Sequence, residues 1–239
     1  AGDVGRLRSL HCHYSVPLRQ LAGRQFGHWM FHQPGNILLE QAVHPLSQIK
    51  ALVGEIEDLK ISSGEPIEIS PGVGFCKDFR FLVEGSQAPA TVSFAVGQNY
   101  PFWQLTALCD DGVLVADILG NRFQVLGRTR WMEFMDNFLV AQKASCMMWK
   151  SGFGNASSYV LSLLKLKERS DPFYVSMKES IRQYHMAVDA GRTPEVDLDF
   201  GASLVTVCEN AAVKVFGKAK PLVQPQTDDS GDWDVAVLG

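Results

Sequence analysis

Hydrophobic residues recur every three or four positions in several parts of the chain, which is the period of an amphipathic helix. The clearest run begins at Asn36 and carries apolar residues at this spacing as far as Val53, where Gly54 is a stop signal. The pattern predicts helices over residues 36–53, 131–167, 172–190 and 201–217. We expect the second of them to be interrupted at 152–155, because two glycines occur in the sequence Gly-Phe-Gly-Asn there.

Short β-rich runs alternate with turn residues between the first and second predicted helices. With an alternating segment near the start, they predict strands over 5–16, 79–83, 90–96, 102–109, 112–119 and 122–127. Turns as short as Gly120-Asn121 require the strands that they join to be antiparallel. A run of strands followed by a run of helices is typical of an α+β fold. We therefore expect a large, mainly antiparallel open-faced sheet with helices packed on one face. The other face of the sheet would have to be covered by another surface.

The composition is that of a protein with its own hydrophobic core. The 239 residues are 46% apolar and 20% charged, and a chain of this size buries roughly 70% of its unfolded surface. Its apolar runs fall far short of the roughly 18 residues that span a bilayer, so no membrane partner is expected. A net charge of −4 argues against nucleic acid as a partner. Five cysteines without a C-x-x-C pair favour a reducing, cytoplasmic location.

Both ends of the sequence carry signals of a longer protein. The chain starts at Ala1 without the apolar core of a signal peptide, so we expect that something upstream has been removed. The acidic, proline-containing stretch QPQTDDSGD predicts a linker over 224–232. The last residues, WDVAVLG over 233–239, predict an apolar strand that runs into a glycine, as at the start of a Rossmann nucleotide-binding domain. An extra edge strand is the alternative interpretation.

Glu40 and His44 are the main candidates for chemistry. Their spacing of four residues places both side chains on one face of a helical turn. Pro45 disfavours helical geometry at His44 and removes the amide hydrogen that would bond back to residue 41, so we expect the helix to kink or restart there. An imidazole oriented by a neighbouring acid can take a proton from an alcohol while hydride leaves the carbon. The spacing alone also fits a histidine that only forms a hydrogen bond with a nearby carboxylate and has no role in catalysis.

Three segments carry a family resemblance. GNILLEQAVHPLSQIKALVGE, from Gly35, resembles the GG-x-L-x-D-x-G-x-H-x-x-D segment that opens the C-terminal domain of the glucose-fructose oxidoreductase/inositol dehydrogenase (Gfo/Idh/MocA) family. GDVGRL at 2–7 resembles the first strand of that domain, and Trp29 lies where the family often has a tryptophan. Residues 173–223 resemble its closing unit, a helix ending in G-R-x-P followed by a last helix. The resemblance implies that residues 1–223 form a substrate-binding and oligomerisation domain of this family.

The resemblance also implies a function for the candidate pair. It implies an oxidoreductase that uses NAD or NADP, bound mainly by an N-terminal Rossmann domain that this sequence lacks, and a sugar-like or polyol substrate. His44 would act as the general acid or base or orient it, with Glu40 binding a substrate hydroxyl; the family's E-K-P lysine would lie on the Rossmann domain. Two departures bear on this assignment: Glu40 is one methylene longer than the usual aspartate, and Ala42 replaces the usual glycine.

The connection over 17–34 is long for simple linkage and is rich in glycine, proline and aromatic residues. The candidate substrate-binding residues here and just beyond are Arg24, His28, Trp29 and Asn36. Aromatic and cationic groups suit polyols and acids, and plain loop packing is the alternative. Four nearby histidines could suggest a metal: His11, His13, His28 and His32. The H-x-H pair on a strand places two side chains on one sheet face, but the remaining ligands are not in evidence and no metal is expected.

Two further questions stay open at the level of the sequence. One cluster of large side chains could form either a subunit interface or part of the hydrophobic core: Trp131, Met132, Met135, Met147, Met148 and Trp149. The family resemblance implies a homo-oligomer formed through the exposed sheet face. A second class of function is a non-catalytic binding or assembly module that keeps the fold, which the departures at Glu40 and Ala42 and the missing Rossmann half favour.

Overall fold

A computed structural model of the chain describes residues 4–70, 73–127, 131–169 and 171–218. The strands of the main sheet are β1 Leu7–Val16, β2 Ile56–Ser63, β5 Asp78–Gly85, β6 Pro89–Val96, β7 Phe102–Cys109, β8 Gly112–Asp117 and β9 Arg122–Gly127. A two-stranded ribbon consists of β3 Ile67–Ser70 and β4 Val73–Phe75. The main sheet has the strand order β2-β5-β6-β1-β7-β8-β9.

β1 lies in the middle of this sheet although it comes first in the chain. It pairs in parallel with β6 and antiparallel with β7, so it separates two strands that are consecutive in sequence. Every other neighbouring pair of the main sheet is antiparallel. The predicted strands and the mainly antiparallel sheet are confirmed. The sequence pattern did not predict β2, an edge strand in which Leu59 is the one fully buried side chain.

The helical segments are α1 Arg19–Ala22, a 3₁₀ turn Trp29–Phe31, a π-helical turn Leu38–Ala42, α2 Val43–Val53, α3 Glu133–Leu163, α4 Pro172–Asp189 and α5 Leu198–Phe216. α2 and α5 pack on one face of the sheet, where they close the hydrophobic core. α3 lies against β9 at the edge of the sheet. The structure therefore confirms the expected α+β class with helices packed on the sheet.

Alternation along β5 and β6 separates a core face from an open face. Phe79, Phe81 and Val83 of β5 are buried, while the residues between them are exposed. On the same face Tyr14 stacks on Phe94 with ring centroids 5.5 Å apart. The opposite face is exposed at His13, Arg80 and Ser93. One cross-strand row on it contains Ser62, Arg80, Ser93, His13, Gln104, Asp117 and Arg122.

The interruption predicted at 152–155 is wrong, because α3 is continuous over 31 residues. Gly152 and Gly154 weaken a helix by only about 1 kcal/mol each, which the flanking residues and tertiary contacts can offset. Asn155 provides such a contact, because its Nδ2 donates to the carbonyl oxygen of Gly120 at 2.9 Å. The Met/Trp cluster is also largely not core, since Trp131 and Trp149 are exposed.

Two predicted segments lie outside the residues that the structure describes: the linker over 224–232 and the terminal strand over 233–239. None of the described helices combines the length and the hydrophobicity needed to cross a bilayer.

Candidate functional site

The connection that follows β1 is held in shape by its own polar groups. His28 caps the 3₁₀ turn, with its Nδ1 accepting a hydrogen bond from the backbone N–H of Met30 at 3.4 Å. Asn36 Nδ2 donates to the backbone carbonyl of Trp29 at 2.8 Å. Arg24 is exposed and has a left-handed φ of 53°. Two of the four candidate substrate-binding residues, His28 and Asn36, therefore shape the loop, while the side chains of Arg24 and Trp29 are accessible to a ligand.

A π-helical turn at Leu38–Ala42 joins this connection to α2. Pro45, the third residue of α2, cannot donate to the carbonyl of residue 41, and a widened turn just before it accommodates that loss. The expected irregularity is thus present, but it takes the form of a π turn upstream of His44, which itself lies in regular α-helix. Single π turns of this kind occur frequently at functional sites.

Glu40 lies within the π turn and is half-buried, whereas His44 is the second residue of α2 and is exposed. The buried side of the same helical segment, including Ala42 and Leu46, packs into the core, so the pair lies on the side that faces away from the sheet. Among the described residues no hydrogen bond or ion pair joins Glu40 to His44. Both side chains therefore keep hydrogen-bonding groups that a ligand could contact.

Tyr14 fixes the π turn to the sheet. Its hydroxyl donates to Oε1 of Gln41 at 3.0 Å, and its ring meets Trp103 edge-on at 4.9 Å between centroids. Burial, and secondarily the Coulombic effect of the nearby Cys12, raise the pKa of Tyr14 to about 12. The hydroxyl therefore stays protonated and remains a donor to Gln41 at neutral pH. Sequence analysis missed Tyr14 because its partner is 27 residues away in the chain.

Lys50 ties α2 to α5. Its side chain is 5% exposed, and Nζ donates to the hydroxyl of Ser203 and forms an ion pair with Glu55 at 2.9 Å. Nζ also lies 4.9 Å from the centroid of the Phe200 ring. A buried ammonium group is tolerated when it has partners of this kind. These contacts hold the helix that carries His44 in a fixed position relative to α5.

Two small residues allow the segments of the site to approach closely. A Cβ atom added to Gly35 would lie 2.7 Å from the Cβ of Ala212 in α5, a distance that real side chains do not reach. The loop can therefore pass α5 here only because residue 35 is glycine. Ala42, which replaces the glycine of the family pattern, is fully buried, and its methyl group packs in the core. The departure at Ala42 is thus accommodated by this fold.

A depression with a volume of about 500 Å³ lies on the other side of the sheet from α2. His13, Ser62, Arg80 and Ser93 line it from neighbouring strands, but neither Glu40 nor His44 does. His11, the other member of the H-x-H pair, is hydrogen-bonded through Nδ1 to Thr91 Oγ1 at 2.7 Å. Within the described ranges no group of three or more His, Cys, Asp and Glu side chains could hold a metal ion.

Comparison with known proteins relates the fold to dehydrogenases, although neither a protein-family model nor a curated protein sequence matches the chain. Two crystal forms of the UDP-N-acetylglucosamine 3-dehydrogenase GnnA from Acidithiobacillus ferrooxidans match with TM-scores of 0.56 and 0.53, at 12% and 13% sequence identity. Each match covers 88% of this chain and 54% of the dehydrogenase. The chain therefore shares its fold with about half the length of a sugar-nucleotide dehydrogenase.

A further match with a lower score is the WlbA dehydrogenase from Bordetella pertussis, solved in complex with NADH and UDP-GlcNAcA. Its TM-score is 0.49 at 14% identity, and the match covers 88% of this chain and 56% of WlbA.

Proposed function

We propose that this chain is the substrate-binding domain of an NAD- or NADP-dependent oxidoreductase of the Gfo/Idh/MocA type, acting on a hydroxyl or carbonyl group of a sugar-like or polyol substrate. The observation that carries the proposal is the outward position of Glu40 and His44 at a π turn, in a fold shared with a sugar-nucleotide dehydrogenase. No G-x-G-x-x-G sequence that could bind the pyrophosphate of a dinucleotide occurs in the chain. The cofactor therefore belongs on a further nucleotide-binding domain.

In this proposal each candidate residue has a distinct role. His44 takes the proton from the substrate hydroxyl as its carbon is oxidised, and returns it in the reverse direction. Glu40 accepts a hydrogen bond from a neighbouring hydroxyl and so orients the substrate. Trp29 and Arg24 offer a ring face and a cationic group to the rest of the substrate, while His28 and Asn36 keep their loop in place. The bound nicotinamide ring supplies the hydride acceptor.

The open sheet face supports a second part of the proposal, a homo-oligomer formed through that face. Leu82, Phe102 and Leu108 are large apolar side chains that are more than a third exposed there. They lie on different rows of the face among polar residues such as His13 and Arg80, and apolar side chains interspersed with polar ones are typical of subunit interfaces. A cytoplasmic location is supported by the five cysteines, all of which are free thiols.

The experiment that tests this function is an assay of the full-length protein that contains this chain. Sugars, polyols and nucleotide sugars are supplied with NAD or NADP, and the reduction of the nicotinamide is followed by its absorbance. We expect turnover of at least one of these substrate classes by the full-length protein and none by the 239-residue chain alone. Absence of turnover with every class would contradict the proposal.

A non-catalytic binding or assembly module is the alternative function. It is favoured by Glu40, whose longer side chain displaces the carboxylate by about 1.5 Å relative to the aspartate of the family, a shift that can cost catalysis. Such a module would still bind sugar-like ligands next to His44. Ligand-induced shifts of the His44 ring resonances without any turnover would therefore support the alternative.

A further inference from the structure

α3 has an extensive apolar surface on the side that faces away from the sheet. Four of its aromatic side chains on this side are between 56% and 70% exposed: Phe134, Phe138, Trp149 and Tyr159. At about 200 Å² for each side chain, these four alone expose about 520 Å². A monomer rarely leaves more than a few hundred Å² of contiguous apolar surface uncovered. The surface thus approaches the roughly 800 Å² that each partner buries in a stable complex.

One stripe of exposed residues runs along the whole of this side of α3. We call it the outer stripe, and its members are Phe134, Phe138, Ala141, Ser145, Met148, Trp149, Gly152, Ala156, Tyr159 and Leu163. The spacing is that of one helix face, with steps of three and four residues. It adjoins the side of α3 that contacts β9, because Asn155, which binds the turn before that strand, follows Gly152 by three residues. Its members are more exposed than the half-buried residues of that contacting side, such as Ala144 and Ser151.

The outer stripe is symmetric about its midpoint, because the spacing of its residues and the order of small and large side chains are the same in both directions. Its two central members are Met148 and Trp149, and the next members on each side follow at steps of three, four, three and four residues. The first two members on each side are small: Ser145 and Ala141, and Gly152 and Ala156. The outer two on each side are large: Phe138 and Phe134, and Tyr159 and Leu163. Such a sequence is complementary to itself in the antiparallel direction.

We propose that two copies of this chain associate through antiparallel α3 helices that cross at Met148 and Trp149. A twofold axis at this point brings every member of the outer stripe opposite another member, as a self-complementary interface requires. Phe138 then faces Tyr159 of the second copy, and the small residues allow the two backbones to approach closely. Trp149 of each copy fills the shallow trough that Ser145 and Gly152 line in the other.

The charges of α3 are compatible with this arrangement. Lys143 and Lys150 come opposite uncharged residues of the second copy, so no like charges meet. Glu133, in the first turn, comes beside Lys165, which directly follows the last turn of the second copy. Antiparallel helices also place opposite ends of their dipoles side by side. This interface is independent of the open sheet face and of the proposed enzymatic function.

The association is tested with the substitution Trp149→Glu, measured by light scattering during size-exclusion chromatography. Most of the expected interface would survive, but two carboxylates would be buried near the axis, so we expect dimerisation to weaken by about 100-fold or more. The measured mass should halve, whether it starts from a dimer or from a tetramer that also uses the sheet face. Leu198→Glu is the matched control, because Leu198 is 90% exposed and lies on α5. An unsubstituted chain that is monomeric, or an unchanged mass for Trp149→Glu, would overturn the proposal.

The antiparallel direction is tested by chemical cross-linking in a Cys146→Ser background, since Cys146 is an exposed thiol of α3. Phe138→Cys and Tyr159→Cys chains are mixed and treated with a short bis-maleimide. We expect cross-linked dimers in the mixture but not in either variant alone, because identical positions are about 30 Å apart across the axis. Cross-linking of Phe138→Cys with itself, or no cross-linking in the mixture, would contradict the antiparallel pairing.

Discussion

Lys50 shows how a single side chain positions the candidate site. Its ammonium group is almost completely buried, and burying a charge is costly unless partners replace water. Ser203, Glu55 and the Phe200 ring are those partners, and two of them belong to α5. The stem of the lysine also fills space between α2 and α5. Lys50 therefore contributes both packing and polar contacts to the helix that carries His44.

Replacing Lys50 separates these two contributions. Lys50→Ala removes the stem and the polar contacts, and we expect the free energy of unfolding in urea to fall by about 2–3 kcal/mol. Lys50→Met keeps most of the stem and should cost about half as much, because an apolar residue of similar volume often replaces a buried charge well. Lys60→Ala, on an exposed position of β2, is the control and should change little. Equal losses for Lys50→Ala and Lys50→Met would show that packing of the stem does not matter.

At this scale the sequence predicts some residues of the site and not others. Glu40 and His44 could be proposed because their spacing and the surrounding segment resemble a family motif. Tyr14 and Lys50 could not, since their partners are 27 and 153 residues away and no local pattern connects them. Whether Glu40 and His44 meet a substrate stays a prediction.

At the scale of elements, α3 shows where a local pattern misleads. Two glycines and an asparagine between 152 and 155 are a turn signal, yet the helix continues through them. The outcome is decided by contacts that the local sequence does not contain, such as the hydrogen bonds of Asn155 with the β8–β9 turn. The position of β1 is a second example. Alternation predicts which of its residues are buried, but it does not reveal that β6 and β7 will be its neighbours.

A continuous α3 makes a prediction about Gly154. No heavy atom outside its own helix surroundings lies within 4 Å of a Cβ added there, so Gly154→Ala introduces no clash. We expect Gly154→Ala to raise the free energy of unfolding by about 0.5–1 kcal/mol, because alanine restricts the unfolded chain and favours helix. Gly191→Ala is the contrast, since Gly191 has a φ of 62° and alanine is strained there. Thermal or urea unfolding of both variants checks this, and destabilisation by Gly154→Ala would indicate a break in α3.

At the scale of the whole molecule, the sheet separates three surfaces with different proposed tasks. Glu40 and His44 lie on the helical layer and face away from the sheet. The open face lies on the opposite side of the sheet, and the outer stripe of α3 lies beyond the β9 edge. Association through either of the last two surfaces therefore leaves the candidate site accessible.

The most direct test of the proposed function is the pH dependence of turnover in the full-length protein with and without His44. We predict that His44→Ala lowers kcat/KM by about 10²–10⁴ and flattens its pH profile, because the proposed proton acceptor is removed. His185→Ala, on the exposed surface of α4, is the control and should leave the profile unchanged. An unchanged kcat/KM and an unchanged profile for His44→Ala would contradict the role of His44 as the proton acceptor.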